Sequence, residues 1–291
     1  MINYGQVHLA AMGLALFALV PALAGTKATA AKWAVGHPDS LTSSFTANLP
    51  AQLTAEQKHR AEALTSLFEN DTPVPQYDYI ENIHDDRGYT AGRAGFCTST
   101  GDLLIIVERY TLREPGNRLA RFLPRLRQLA DAGSASVTGL KSFVGAWKMA
   151  ARDPVFRFLQ DQVSDELYYR PAMARASQIG LQWATSRAII YDTIIQHGDD
   201  SDPDGLPTLI DRVTAGLHGS PGHGVSEFDW IYGFLRVRRR DLLHPYDVGS
   251  REIWPDSVVR VDAFKKILDS GNYDLRGPIR VKSYDWSGLI P

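Results

Sequence analysis

One stretch breaks the pattern of this chain. Residues 76–90, QYDYIENIHDDRGYT, set aromatic and β-branched residues among acids, with Gly88, Gly92 and Gly95 as punctuation. That composition predicts two or three short strands. On either side the spacing is helical. Thr54-Ala55-Glu56-Gln57 has capping-box form, and Ala61, Leu64 and Phe68 then recur three and four residues apart. Such a chain is mainly α, of α+β class, with a small sheet inserted after its first helix.

Further helices follow. Asp102 is the expected N-cap of a helix over residues 103–110, which Glu114-Pro115-Gly116 stops. Leu119, Phe122, Leu123, Leu126 and Leu129 form an apolar face that Pro124 splits. Asp153-Pro154 starts a helix running through Leu159 and Val163 toward Leu167. Residues 182–197 read as a long apolar helix closed by Gly198, and Ser226-Glu227-Phe228-Asp229 as a capping box opening another. Residues 261–268 form a last helix, with Gly271 as its C′ residue.

The ends and the charge narrow the classes of function. Residues 9–24 are apolar, uncharged, too short to span a bilayer comfortably, and end in Ala22-Leu23-Ala24. They read as a secretory signal over residues 1–24, although the leading MINYGQVH lacks Lys and Arg. A small-residue tail follows over residues 25–52, and the folded domain over 53–291. The protein is therefore expected outside the cytoplasm, extracellular or periplasmic, with no stable membrane association once the signal is removed. Thirty-one Lys+Arg against 33 Asp+Glu give a net charge of −2, so no basic field calls for nucleic acid. The one cysteine, Cys97, excludes an internal disulfide and any multi-cysteine metal site; it reads as a small buried hydrophobe.

Two charged motifs have competing readings. Asp200-Ser201-Asp202-Pro203-Asp204-Gly205, with Asp211 at the twelfth position, resembles a calcium loop. Its two prolines and terminal Asp favour an ordinary turn and N-cap, so no metal is expected. Arg236, Arg238, Arg239 and Arg240 suggest anionic ligands, or a helix face with one arginine turned inward; the second reading is preferred.

For chemistry, Glu69 at the end of the first helix faces the strand segment that holds Asp85 and Asp86. Carboxyl groups on opposed elements suit a general acid and a general base. Acids at helix ends and in loops are more often simply solvated.

The residues around them carry a resemblance. Ser66-Leu67-Phe68-Glu69-Asn70 is followed by Tyr77, Tyr79-Ile80-Glu81, Ile83, Asp85 and Arg87-Gly88-Tyr89-Thr90, then by Gly95-Phe96-Cys97 and Thr100-Gly101-Asp102. Together with Glu114-Pro115-Gly116-Asn117, Tyr191-Asp192, His197-Gly198, Gly233-Phe234-Leu235 and Gly271-Asn272, these resemble the chitosanases of glycoside hydrolase family 46 over roughly residues 53–284. The resemblance implies a two-lobed, lysozyme-like fold with a small antiparallel sheet and a substrate cleft between the lobes. It implies an endo-acting, inverting enzyme that cleaves chitosan, a polycation of glucosamine, as a monomer and without a cofactor. Carried over by position, Glu69 is the general acid, Asp85 the general base, and Thr90 helps hold the attacking water. Tyr79, Arg87, Asp102, Tyr168 and His197 match sugar-binding positions, and Asp192, Arg238 and Arg260 a buried charge network. Asp102 and Glu81 would read the glucosamine amines, and Arg87 would keep Asp85 ionised. The alternatives are a peptidoglycan-cleaving muramidase and a carbohydrate-binding protein without turnover.

Overall fold

The computed structural model describes residues 52–84 and 86–291. The expected signal, nearly all of the expected tail and Asp85 lie outside the described residues.

Helix α1 (Ala55–Asn70) begins with the expected capping box: Gln57 N donates to Thr54 Oγ1 at 3.2 Å, and Thr54 N donates to Gln57 Oε1 at 2.9 Å. Its apolar face buries Ala61, Leu64, Leu67 and Phe68, and its last turn carries Glu69 into the interior. Three two-residue strands follow, β1 (Ile80–Glu81), β2 (Thr90–Ala91) and β3 (Phe96–Cys97), antiparallel in that order. Glu81, Thr90 and Cys97 lie in register across them. The third strand falls beyond the segment read as strands, directly after the last of its glycines, Gly95.

The smaller lobe continues with α2 (Asp102–Arg113), α3 (Leu123–Asp131) and α4 (Phe143–Ala150). At α2 the N-cap is Gly101 and Asp102 is already helical, one residue earlier than the sequence suggested. Pro124 does split its segment: a 3-10 turn over Ala120–Phe122 precedes α3, with the proline in the first turn, where no N–H is required. Helix α4 was not anticipated. It starts at Ser142, whose φ of 68° comes with no side-chain cap.

Asp153 caps α5 (Pro154–Ser164) through Val155 N at 2.9 Å. The helical path runs on past Leu167. A π turn over Asp165–Tyr169 leads directly into α6 (Arg170–Ile179), so residues 154–179 form one helical path. Phe156, Leu159 and Val163 belong to the core of the smaller lobe, and Tyr169, Met173 and Ala176 to that of the larger. The path joins two separate hydrophobic cores.

Helix α7 (Ala184–His197) runs through the larger lobe with every residue but Ile195 buried. Trp183 offers no cap, so the Glu227 carboxylate from another helix accepts Gln182 N at 2.8 Å and Trp183 N at 2.9 Å. Around α7 pack α1, α8 (Leu206–Gly216), α9 (Glu227–Leu243) and α10 (Val258–Asp269). At α9, Ser226 Oγ accepts Asp229 N at 3.4 Å, but Asp229 returns no bond to Ser226 N among the described residues, so the cap is one-sided. A hairpin of β4 (Ile279–Ser283) and β5 (Trp286–Ile290), also unanticipated, closes the chain, and Arg60 Nε ties Pro291 O back to α1 at 2.7 Å. No helix among the described residues is long and apolar enough to cross a membrane.

Candidate active site

Glu69 is 4% exposed, at the end of α1. Arg260 of α10 donates from Nη1 to Glu69 Oε1 at 2.6 Å. The other oxygen makes no hydrogen bond among the described residues. Arg260 also forks onto Asp192 of α7, at 3.0 Å from Nε and 2.7 Å from Nη2. Arg238 of α9 reaches the same carboxylate at 2.8 Å, and Thr65 Oγ1 approaches it at 3.2 Å. Both arginines and Asp192 are fully buried. The network expected from Asp192, Arg238 and Arg260 is thus present, and it ends on Glu69.

The two carboxyl groups respond oppositely. Burial raises the Glu69 pKa above the usual carboxylate value, and the Asp192 charge adds to this; Arg260 opposes without prevailing. Burial pushes Asp192 the same way, but two guanidinium groups outweigh it and hold Asp192 below its ordinary value. Burial also pulls Arg238 down to about 10. One acid is biased toward the protonated form and one is kept ionised.

Asp85 lies in the connection between β1 and β2. Its neighbours His84 and Asp86 both adopt left-handed backbone, with φ of 59° and 61°. Such residues are costly, and persist only where their surroundings fix them. After them, Gly88 (φ 81°) has no room for a Cβ against Thr98 Oγ1. That hydroxyl accepts Tyr89 N at 3.1 Å and donates to Arg87 O at 3.3 Å, while Ser99 N donates to Arg87 O at 3.2 Å. The loop is laced to the chain after β3. Asp86 is exposed, and Thr90 is fully buried with its hydroxyl 3.5 Å from Cys97 Sγ. Cys97 is itself buried, as expected.

The sugar-binding positions separate. Tyr79 is half-buried, 3.5 Å from Glu81 through its hydroxyl. Tyr168 sits in the π turn, packs on the larger core, and lies within electrostatic reach of Asp102 and Arg87 of the smaller lobe. These three therefore meet where the lobes face each other. Asp102 is partly a brace: its Oδ1 accepts Cys97 N at 2.7 Å, Thr100 Oγ1 at 2.6 Å and Leu103 N at 2.8 Å. Burial raises its pKa against those bonds.

His197 needs reassignment. Its side chain is wholly buried; Arg238 Nε donates to Nε2 at 3.3 Å, and Nδ1 meets Asp204 O at 2.9 Å. An arginine donor requires a lone pair on Nε2, so the proton resides on Nδ1. Burial and Arg238 together hold the ring neutral, far below its usual pKa. It extends the charge network and offers a sugar no free face.

The acidic loop also works internally. Asp204 accepts Tyr246 N at 2.8 Å and Asp247 N at 2.7 Å, and Asp202 Oδ1 accepts Asp204 N at 2.9 Å. Among the described residues no cluster of ligand-type side chains would hold a metal.

Several contacts around Glu69 and along the path between the lobes escaped the sequence analysis. Arg93 pairs with Asp161 and, at 3.1 Å, with Glu62, joining the segment after β2 to α5 and α1. Arg93, Glu62, Thr65, Asn70 and Tyr191 line a crevice of about 20 Å³ beside Glu69. Tyr284, in the β4–β5 turn, lies within electrostatic reach of Arg260 and Glu69. Arg109 clamps Glu166 of the π turn through two bonds of 3.0 and 2.7 Å. Each pairs residues distant in sequence, which local spacing does not signal.

A buried acid held by arginine beside a strand-bearing lobe suits general acid catalysis, and comparison with solved structures places this fold among glycoside hydrolases of lysozyme-like architecture. More narrowly, the chain belongs to glycosyl hydrolase family 46, whose profile matches residues 63–279. It is 48% identical over 240 residues to a chitosanase of Bacillus subtilis (strain 168), covering 82% of this chain and 87% of that one. A Gynuella sunshinyii family 46 chitosanase, solved in complex with chitotetraose, superposes with a TM-score of 0.76 at 45% identity, covering 82% of this chain and 99% of that one. A mutant chitosanase from Bacillus subtilis MY002, solved with 6 GlcN, gives 0.75 at 48% identity, with 82% and 100% coverage.

Proposed function

We propose that the protein is an exported endo-chitosanase that hydrolyses β-1,4 bonds between glucosamine units with inversion. The observation that carries this reading is the state of Glu69: buried, raised in pKa, pinned by Arg260 through one oxygen and, among the described residues, unbonded at the other. A general acid needs that combination. Family membership and relatives solved with glucosamine oligomers supply the substrate class.

In the proposed step Glu69 transfers its proton to the glycosidic oxygen as the bond from that oxygen to the anomeric carbon breaks. Asp85 takes a proton from water, whose oxygen attacks the same carbon from the opposite face, with Thr90 helping to hold it. Glu69 ends ionised and Asp85 protonated, and exchange with solvent resets both. One-step inversion calls for carboxyl groups separated by roughly 6.5–9.5 Å. Tyr79, Arg87, Tyr168 and the outer oxygen of Asp102 contact sugar, and Asp102 and Glu81 favour its amines. Export is supported by the apolar run over residues 9–24 and its small-residue end.

Reducing ends released from chitosan, chitin and peptidoglycan, assayed side by side, test the reading. Chitosan should be cleaved fastest, with early proton NMR showing α product from the β-linked substrate. Initial β product overturns inversion, equal rates on chitosan and chitin overturn amine recognition, and preference for peptidoglycan overturns the activity. Recovery of the full chain with residues 1–24 intact from the culture medium overturns signal cleavage.

A further inference from the structure

The arginine run of α9 serves separate purposes. Arg238 turns inward onto Asp192, and Arg239 Nε reaches Asp262 at 3.2 Å. Arg236 and Arg240, one helical turn apart, are exposed and have no side-chain partner among the described residues. Like charges so spaced repel, so their shared face does nothing for the helix by itself.

That face borders a groove. Across it Arg212 of α8 is fixed by Asp241 Oδ1 at 2.6 Å and Pro203 O at 2.7 Å. Two adjoining hollows of about 600 Å³ and 310 Å³ share Arg212, Val237 and Arg240 as walls. Their size suits a small-molecule site. Val213, Leu217 and Val237 make the inner hollow apolar.

The acids of the groove face inward. Asp204 spends both oxygens on backbone N–H groups, and Asp241 lies between Arg212 and His197, the latter 3.7 Å away. The groups left facing the hollows are guanidinium forks, with His244 and the exposed Tyr246 at the outer end.

We propose that the groove between α8 and α9 binds a phosphate ester with an apolar body. Two unpaired guanidinium groups and one fixed in place suit a phosphate ester, whose three terminal oxygens can serve several forks at once where a carboxylate has only two. The apolar floor takes the rest of the ligand. Asp241, His197, Arg238, Asp192 and Arg260 stand between the groove and Glu69, so this site is separate from the cleft.

Calorimetry on the full chain tests the site, with inorganic phosphate and monomeric dihexanoyl phosphatidic acid as probes. Both should bind saturably, the ester at least ~10-fold more tightly, and Arg236→Gln with Arg240→Gln should weaken both by at least ~10-fold. These exposed replacements should leave the melting temperature and turnover of glucosamine oligomers unchanged. No saturable binding of either probe up to ~10 mM, or unchanged affinity in the double variant, overturns the site. Equal affinity for the two probes overturns the apolar floor.

Discussion

Replacing Asp192 with Asn keeps the shape of the side chain and removes one charge from a sealed cluster. Asp192 accepts two hydrogen bonds from Arg260 and an ion-pair contact from Arg238, all between 2.7 and 3.0 Å. An Asn has one acceptor oxygen and an NH₂ group, so at least one guanidinium would meet a donor instead. Both arginines are fully buried and cannot turn to water for compensation. Breaking a buried pair on one side costs about 3–5 kcal/mol. That is a large part of the whole stability of a typical domain, and corresponds to a melting temperature lower by about 6–20 °C.

The charge count adds a second, independent consequence. With Glu69 ionised, the two acids balance Arg238 and Arg260; with Glu69 protonated, the cluster carries one net positive charge. Asp192→Asn raises both states by one unit, and the protonated acid then costs more. Glu69 loses a neighbour that raises its pKa, and the pKa falls. Because the proposed acid must be protonated, the basic limb of the kcat–pH profile should move to lower pH. Urea unfolding with an unchanged m-value measures the first effect, and glucosamine-oligomer turnover from pH 4 to 9 the second. A variant within ~1 kcal/mol of wild type would refute the structural reasoning. A basic limb that stays put, or moves up, would refute the electrostatic reasoning alone.

What the sequence shows is what local chemistry writes. Thr54 and Gln57, Asp153 with Pro154, and Gly198 mark helix ends because each satisfies orphan backbone groups within a few residues. Helix α4 has no such mark at Ser142. The π turn changes residues per turn without changing composition. The β4–β5 hairpin does alternate, with Ile279 and Val281 inward and Arg280 and Lys282 outward, but its Tyr284-Asp285 turn lacks the glycine signal that draws attention to a hairpin. At the site, Arg260 meets Glu69 across 191 residues of chain, and only resemblance to a family brings such a pair together on paper. His197 shows the converse: the resemblance offers it as a sugar-binding position, and only the packing of α9 buries it against Arg238.

The two sides of the proposed reaction are built differently. Glu69, on α1, is held by a charge cluster drawn from α7, α9 and α10 of the larger core. Asp85 is flanked by two left-handed residues in a loop held mainly by hydrogen bonds around Thr98. The acid needs an environment that water does not reach, since desolvation raises its pKa. The proposed base needs water beside it, and its described neighbours His84 and Asp86 are both exposed. The path over residues 154–179 links the two lobes, and Tyr168 in its π turn reaches toward Asp102 and Arg87. A change in that path would therefore act on sugar placement before it acts on the acid.

Three further outcomes are expected. Glu69→Gln and Asp85→Asn should each lower chitosan turnover by at least ~100-fold, with Asp86→Asn costing far less; a dead Asp86 variant beside an active Asp85 variant would move the base by one residue. Millimolar calcium should leave the melting temperature unchanged, because Asp202 and Asp204 already accept backbone N–H groups; a rise abolished by Asp202→Ala would show that the loop binds the ion. Asp241 is raised by burial to about 7, so the fold prefers it protonated, and the stability this contributes is present below its unfolded value of 3.8 and lost as pH rises through about 7. Asp241→Asn cannot ionise and escapes that loss, so urea midpoints at pH 4.5 and 8 should shift toward the variant at the higher pH, whereas a gap that does not change with pH would mean that Arg212 holds the carboxylate ionised throughout.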